Sequence, residues 1–275
     1  MKSKWILFLP IITICISGIG FAHGTKTAQA AEKTVTVGVV GDSDRQLWEF
    51  VKKDAKKLYN LNIKLKVFTD YNQPNHALAN KSIDLNSFQT INSFKIQNKE
   101  FKYQLKTIGK TYVTPISLYS LKYKTIKQLP DGATIVVPSD PSNEARAFDV
   151  IESAGLLNYD HNQNLPTAKD ITQNPHNYIV KEVQADQEVG SLKSVEAAII
   201  PTNYALDAKL GAKTILFTEP IDEKIKGYIN LIVARKETDK TKIFQQVVKA
   251  YQSQATKQHM KELYGTAEIA AWDLK

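Results

Sequence analysis

The sequence predicts an α/β protein of two lobes with a cleft between them. Short β-branched runs alternate with amphipathic segments along residues 34–85 and again along residues 134–210. This order is typical of parallel strands with helices on the faces of the sheet. Two apolar segments, YVTPISLY at 112–119 and YINLIVA at 228–234, are natural places for the chain to cross between the lobes. Two crossings leave a cleft where the carboxyl ends of strands meet, which is a usual place for a ligand.

The crossings set the predicted domain boundaries. We predict that residues 31–114 and 230–275 form the first lobe and that residues 115–229 form the second. The first lobe is expected to run as strand 34–40, helix 46–59, strand 63–68, helix 75–80 and strand 83–85. The helix at 46–59 follows from apolar side chains spaced by three, four and one, namely Leu47, Phe50, Val51, Ala55 and Leu58.

The second lobe is expected to contain the same kinds of element. A loop rich in Asn, Asp and Pro is predicted at residues 156–175, and the segment 239–264 is predicted to be mainly helical. The other predicted elements are a short helix and turn at 126–132, strand 134–137, helix 145–154, strand 178–183, helix 187–192, strand 195–200, helix 204–210 and a last strand at 228–234.

Composition and charge indicate an ordinary folded protein. The chain has 275 residues, is 43% hydrophobic and carries a net charge of +8. Three of its 36 basic residues are lysines near the N-terminus, so the rest of the chain is only five charges positive. The lysines form no block and are not interleaved with aromatic residues, which argues against nucleic-acid binding.

The N-terminus predicts export. Lys2 and Lys4 precede an apolar run from Trp5 to Phe21, and Ala28-Gln29-Ala30 supplies an A-x-A cleavage pattern. Residues 1–30 are therefore predicted to be a secretory signal peptide, which would place the protein outside the cytoplasm, at the cell surface or secreted. The alternative is an uncleaved anchor, although a run of seventeen residues with Pro10 inside it is short for a spanning helix.

The only cysteine, Cys15, lies within this leader. A bacterial lipid anchor requires a cysteine after small residues at the end of the apolar stretch, whereas Ile14 precedes Cys15 and the run continues past it. The sequence therefore argues against a lipid anchor. The exported chain would contain no cysteine, which excludes disulfides, thiolate nucleophiles and cysteine-ligated metals.

Arg146 is the strongest candidate binding residue. The stretch Asp140-Pro141-Ser142-Asn143 predicts a helix start, and Arg146 follows about one turn later. The unpaired N–H groups of a helix start and a guanidinium together suit a small carboxylate. The alternative is a solvated arginine that pairs with Glu144, with Asp149 or with nothing.

Signals for catalysis or cofactors are lacking. The five histidines are scattered without ligand spacing, and the sequence has neither G-x-S-x-G nor H-E-x-x-H. We therefore expect a protein that is not an enzyme and that has no metal or other cofactor.

Four motifs, in order, resemble those of the methionine-binding lipoprotein family (MetQ/NlpA), and the resemblance covers about residues 33–272. The first joins Asp70-Tyr71-x-x-Pro74-Asn75-x-Ala77-Leu78 to Ile83-Asp84-x-Asn86-x-Phe88-Gln89. The second is Val137-Pro138-x-Asp140-Pro141-Ser142-Asn143-x-x-Arg146, and the others are AIIPTNYA at 198–205 and YINLIV at 228–233.

The resemblance implies a type II periplasmic-binding-protein fold, with two crossover strands and an interlobe cleft for an L-methionine-like ligand. It also implies, as partners, the permease and ATPase of an ABC importer, and we expect the binding protein itself to be a monomer. By position, Arg146 would bind the ligand carboxylate, and Asn203 and Asn230 its amino-acid backbone. Tyr71 and Phe88 would line the side-chain pocket, and Thr90 and Asn143 complete the predicted set.

The sequence departs from the family pattern beside the pocket. The family usually follows Phe-Gln with His and then has Pro-Tyr, where this chain has Thr90, Asn92 and Ser93; Pro201 stands where Asn is common. Loss of a His and a Tyr predicts a roomier or more polar pocket. A methionine-containing dipeptide, another amino acid or another small polar ligand therefore stays open, as does a secreted surface or adhesion protein that has lost transport.

Overall fold

The computed structural model describes residues 33–274. The predicted signal peptide, its cleavage site and Cys15 lie outside the described residues. Within 33–274, no helix is both long enough and apolar enough to cross a membrane.

Alternation of strands and helices runs through the described chain, as the sequence predicts. The helices are α1 (Gly41–Tyr59), α2 (Gln73–Ala79), α3 (Ile91–Glu100), α4 (Pro141–Ser153), α5 (Glu188–Ser191), α6 (Thr202–Asp207), α7 (Thr241–Tyr251) and α8 (Gln254–Tyr264). The strands are β1 (Lys33–Val40), β2 (Leu61–Phe68), β3 (Leu85–Thr90), β4 (Leu105–Lys110), β5 (Tyr112–Val113), β6 (Ser117–Tyr119), β7 (Thr134–Pro138), β8 (Asn158–Tyr159), β9 (Ile171–Gln173), β10 (Ile179–Val183), β11 (Ala197–Ile200), β12 (Ile215–Thr218), β13 (Asn230–Arg235) and β14 (Ile269–Ala270).

Within residues 33–274, ten strands form two five-stranded sheets, and the other four form two short antiparallel pairs, β5 with β14 and β8 with β9. The first has the order β2-β1-β3-β13-β4, and the second has the order β10-β7-β11-β6-β12. In each sheet the strands of the β-α-β units are parallel, as expected, and a strand from a crossover region enters antiparallel: β13 in the first sheet and β6 in the second. The predicted α/β architecture with two sheets is confirmed.

The chain passes between the sheets at the two predicted segments. It leaves β5 at Val113 and enters β6 of the second sheet at Ser117, and it returns to the first sheet at Asn230, where β13 begins. The lobe boundaries at 114/115 and 229/230 are close to these points and stay a prediction.

Several boundaries differ from prediction. The strand predicted at 83–85 is β3 at Leu85–Thr90, so the Asn86 to Gln89 motif lies within a fully buried strand. Strand β4 and helix α3 were not predicted, because their sequences mix lysine and other polar residues with the apolar ones and their burial is only partial. Strand β12, only four residues long and partly buried, was not predicted either. The loop predicted at 156–175 contains the short strands β8 and β9.

Each sheet has an apolar core against its helices. Trp48 of α1 and Tyr251 of α7 are fully buried against the first sheet, with ring centroids 5.0 Å apart. Phe148 and Ile151 of α4 are fully buried against the second sheet. A third cluster takes residues from both sheets and lies beside the cavity described below.

Helix α1 starts earlier than the predicted Gln46 because its first turn is capped by a distant residue. The side chain of Asp207, at the end of α6, accepts hydrogen bonds from the backbone N–H of Asp42 (2.8 Å) and of Ser43 (2.7 Å). Gly41 has a φ of +83°, and a Cβ there would collide with the Asp207 carboxylate. Because α6 follows a strand of the second sheet, this cap links elements of the two sheets.

Asp44, in the same turn, is a buried carboxyl with a perturbed pKa. It accepts a hydrogen bond of 2.7 Å from the Tyr112 hydroxyl and is 3% exposed. Burial raises its pKa from 3.8 to about 7, and the nearby Asp207 acts in the same direction. The proton is therefore bound more tightly in the folded state than in the unfolded one.

We expect replacement of Asp44 by asparagine to stabilise the protein above pH 7. The contribution of a carboxyl with a raised pKa is present below pH 4 and is lost as the pH rises to about 7. Asparagine can still accept the Tyr112 hydrogen bond but has no charge to bury. Because one pKa unit corresponds to about 1.4 kcal/mol, the variant should gain roughly 4 kcal/mol at pH 8 and nothing at pH 4. Urea unfolding at both pH values measures this difference.

Asp42→Asn is the matched control, since Asp42 lies in the same turn but is exposed and has its pKa lowered by hydrogen bonds from Gln46 and Arg45. The Asp42→Asn variant should show no gain in unfolding free energy at pH 8. Equal destabilisation of Asp44→Asn at both pH values would mean that Asp44 is charged in the folded protein.

Candidate ligand-binding site

A cavity lies between the two sheets, and all seven predicted site residues line it. They are Tyr71, Phe88, Thr90, Asn143, Arg146, Asn203 and Asn230. Tyr71, Phe88, Thr90 and Asn230 belong to segments of the first sheet. Asn143 and Arg146 lie on α4 and Asn203 lies on α6, two helices that pack with the second sheet. The lining also includes residues that were not predicted as site residues: Gln89, Ser93, Gln97, Tyr112, Thr114, Ile116, Asp140, Pro201 and Thr202.

The start of α4 is built as its sequence predicts. Asp140 is the N-cap residue and accepts a hydrogen bond from the backbone N–H of Asn143 at 3.0 Å. Pro141 occupies the first turn, where its missing N–H costs nothing. The Asn143 side chain also donates to both Asp140 oxygens, at 3.2 and 3.0 Å. This bracing leaves the carbonyl oxygen of the Asn143 side chain, rather than its NH₂, as the group available to a ligand.

Arg146 is 2% exposed and is held on one edge by Glu219. Its Nε donates to Glu219 Oε1 at 2.9 Å, and its Nη2 donates to Glu219 Oε2 at 2.5 Å and to the Thr114 carbonyl at 2.6 Å. The guanidinium carbon also lies 4.1 Å from the centre of the Tyr228 ring. The partner is neither Glu144 nor Asp149, the two that the sequence left open.

Glu219 was missed because it is 73 residues away and no motif includes it. Its pairing has two consequences for a ligand. First, the Arg146 charge is already balanced within the protein, which makes its burial tolerable. Second, Nη1 of Arg146 makes no hydrogen bond to any residue in 33–274, so this edge of the guanidinium remains for a ligand carboxylate.

Tyr71 and Asn203 join the two walls of the cavity. The Tyr71 hydroxyl donates to Asn203 Oδ1 at 2.6 Å, and its ring lies 6.0 Å from Phe88 and 5.2 Å from Tyr204, centre to centre. Burial raises the Tyr71 pKa well above its ordinary value, so the hydroxyl remains a donor. With its oxygen engaged, Asn203 has its NH₂ group to offer a ligand.

Asn230 has an unengaged side-chain amide. It is 6% exposed and begins β13, where its backbone carbonyl accepts from the Thr111 N–H at 2.8 Å. Its side chain makes no hydrogen bond to any residue in the described range, although it lines the cavity. A buried amide of this kind is expected to have a partner, which a ligand would supply.

Thr90 and Ser93, at the positions that depart from the family pattern, cap α3. Thr90 Oγ1 accepts from the Ser93 N–H at 3.2 Å and donates to the Ser93 hydroxyl at 3.1 Å. These small residues therefore begin a helix at the cavity wall. No group of three or more His, Cys, Asp or Glu within residues 33–274 is arranged to hold a metal ion.

Comparison with known proteins finds relatives over nearly the whole described chain. The family model described as NlpA lipoprotein matches residues 35–272. The chain is 35% identical over 246 residues to a probable D-methionine-binding lipoprotein MetQ of Pasteurella multocida, covering 89% of this chain and 88% of that protein.

Solved structures show the same likeness. A nutrient-binding protein of Burkholderia cenocepacia bound to methionine is 37% identical, with a TM-score of 0.82 over 86% of this chain and 99% of the other. The substrate-binding protein of a methionine transporter from Streptococcus pneumoniae is 34% identical, with a TM-score of 0.82 over 87% and 96%. These similarities confirm the predicted two-lobed α/β fold. They also confirm that the protein is not an enzyme, since the family consists of substrate-binding transport proteins. The chain therefore belongs to the NlpA lipoprotein family.

Proposed function

We propose that the chain is an extracytoplasmic solute-binding protein that binds L-methionine or a related amino acid and delivers it to an ABC permease. The observation that carries this proposal is the arrangement of Arg146, Asn203 and Asn230 around one cavity. Each has a side-chain N–H group that no described residue accepts from, so the cavity presents donors for a carboxylate. The names of its relatives, which include D-methionine-binding lipoproteins and a methionine transporter component, agree with this ligand class.

Each site residue has a role in the proposal. Nη1 of Arg146 binds the ligand carboxylate, and the amides of Asn203 and Asn230 bind the amino-acid backbone. Tyr71 and Phe88 form the apolar wall for the ligand side chain, while Thr90 and Asn143 complete the lining. Because the walls come from both sheets, ligand binding would favour the closed arrangement, and a monomer in that form would dock on the permease.

The polar lining favours a second candidate, a methionine-containing dipeptide or another small polar ligand. Thr90, Ser93 and Gln97 place hydroxyl and amide groups along the first-sheet wall. A peptide bond carries one more donor and one more acceptor than free methionine and could use them. A surface or adhesion protein without transport is the alternative from another class, and it would bind none of these ligands.

Thermal unfolding of the purified protein, after removal of carried-over ligand, tests the proposal. A ligand at a hundred times its dissociation constant stabilises the folded state by about 2.7 kcal/mol, or roughly 5–10 °C at this length. We expect this shift with L-methionine. A shift only with methionine dipeptides or another amino acid would mean that this compound, and not L-methionine, is the substrate. No shift with any of these compounds would support the non-transport alternative. Loss of methionine uptake by cells that lack the protein would test delivery.

A further inference from the structure

Four side-chain amides form a connected network behind the first-sheet wall of the cavity. Asn75 donates to Gln89 Oε1 at 2.9 Å and to Gln97 Oε1 at 2.8 Å. Its own oxygen accepts from Asn86 Nδ2 at 2.9 Å and from Gln89 Nε2 at 2.7 Å. Gln89 Nε2 also donates to Asn86 Oδ1 at 3.1 Å. Asn75, Asn86 and Gln89 are at most 2% exposed.

One backbone group fixes the direction of every hydrogen bond in this network. Asn86 Nδ2 lies 3.3 Å from the carbonyl oxygen of Pro74, which can only accept, so this atom of Asn86 must be the NH₂ group. The Asn75 atom that faces it must therefore be oxygen, which turns the Asn75 NH₂ group towards Gln89 and Gln97. The atom of Gln97 that meets Asn75 must in turn be Oε1.

The hydrogen bond from Asn75 also fixes which polar atom Gln97 has free on its other side. With Oε1 engaged by Asn75, the remaining polar atom of Gln97 is Nε2, which donates to no residue in 33–274. Gln97 lines the cavity on the wall that also carries Phe88 and Thr90, whereas Arg146 comes from the second sheet's elements. Gln97 therefore presents a hydrogen-bond donor to the cavity and cannot turn its amide round without breaking the network.

We propose that Gln97 is a specificity-determining residue that donates a hydrogen bond to an acceptor atom in the ligand's side chain. This inference rests on the proposed function, because it assumes that an amino acid binds with its carboxylate at Arg146. The ligand class is then narrowed to amino acids whose side chain carries a sulfur or oxygen acceptor. A thioether is a weak acceptor, and a sulfoxide or amide oxygen is a stronger one.

The test compares three probes of nearly equal size: L-methionine, L-norleucine and L-methionine sulfoxide. Norleucine replaces the thioether by CH₂ and is more apolar, so a purely apolar pocket would bind it at least as well as methionine. A hydrogen-bond donor at Gln97 should instead make methionine bind more tightly than norleucine. We expect calorimetry to show norleucine binding roughly threefold to tenfold more weakly than methionine, with the sulfoxide at least as tight as methionine.

Two variants assign the preference to Gln97. Gln97→Met keeps the length of the side chain but removes the donor, so the ratio of norleucine to methionine affinity should rise to one or above. Gln97→Glu can still accept from Asn75 but offers no N–H to the cavity, so it should also lose the preference and should bind the sulfoxide poorly. Gln104→Met, at an exposed glutamine outside the cavity, is the matched control and should keep the wild-type order.

The outcomes separate this inference from the proposed function. If wild type binds methionine but binds norleucine equally well, or if both Gln97 variants keep the wild-type order, the role of Gln97 is overturned and the proposed function stands. If wild type binds none of the three probes, this inference fails, and the proposed function fails as well unless the thermal-shift screen finds another amino acid that binds.

Discussion

Replacing Arg146 with methionine is expected to weaken ligand binding by at least about thirtyfold. Removing one partner of a buried, hydrogen-bonded charge pair typically costs about 2–5 kcal/mol of binding free energy, and no other basic residue among 33–274 lines the cavity. Titration calorimetry with the ligand found by thermal shift measures the change. Arg45→Met is the matched control, since Arg45 is an exposed arginine whose partner is Asp42 in the same helix, and it should bind as wild type does.

The same replacement is expected to destabilise the protein even without ligand. Glu219, whose side chain is 10% exposed, would lose its ion pair and remain as an uncompensated buried charge. Breaking such a pair from one side typically costs about 3–5 kcal/mol. A variant that combines Arg146→Met with Glu219→Gln should recover much of this stability, because glutamine can still accept from the Ile116 N–H that Glu219 now binds. The double variant should still fail to bind; full binding would show that Arg146 does not hold the ligand.

Asn75→Ala is expected to give the other large effect, on folding stability. Its side chain makes four hydrogen bonds, to Asn86, Gln89 and Gln97. Leaving buried polar groups without partners costs about 1–3 kcal/mol each, so a total loss of about 3 kcal/mol or more is expected. Chemical denaturation measures it. His76→Ala changes the next residue, on the exposed side of the same helix, and should alter the unfolding free energy by less than about 0.5 kcal/mol. Equal effects of the two changes would show that the amide network contributes nothing to stability.

The sequence predicts those parts of the fold that depend on neighbouring residues. The spacing of Leu47, Val51 and Ala55 predicts α1, and the order of strands and helices predicts two α/β sheets. The antiparallel entry of β13 depends on pairing with β3, more than a hundred residues earlier, and no local pattern encodes it. The early start of α1 likewise depends on Asp207, which the local sequence cannot reveal.

The candidate site divides in the same way. Arg146 and Asn143 are predictable because the helix start that positions them is written in consecutive residues, from Asp140 onward. Glu219 and Gln97 are not predictable, because the role of each depends on a partner distant in sequence. The partner of Glu219 is Arg146, and the partner of Gln97 is Asn75. The spacing of Gln97 from Thr90 does indicate a place at the cavity. Gln97 lies seven residues after Thr90, about two helical turns along α3, and therefore on the same face of the helix as this capping residue.

The cap on α1 makes two backbone amides sensitive to the arrangement of the two sheets. The N–H groups of Asp42 and Ser43 are at the start of a helix, where no carbonyl of the helix itself can accept from them. Their acceptor is Asp207, about 165 residues later. When α6 moves away from α1, these protons become open to exchange with solvent deuterium while the rest of the helix stays protected. Their exchange rate therefore reports the fraction of molecules in which α6 is in contact with α1. The measurement has single-residue resolution and requires no attached label.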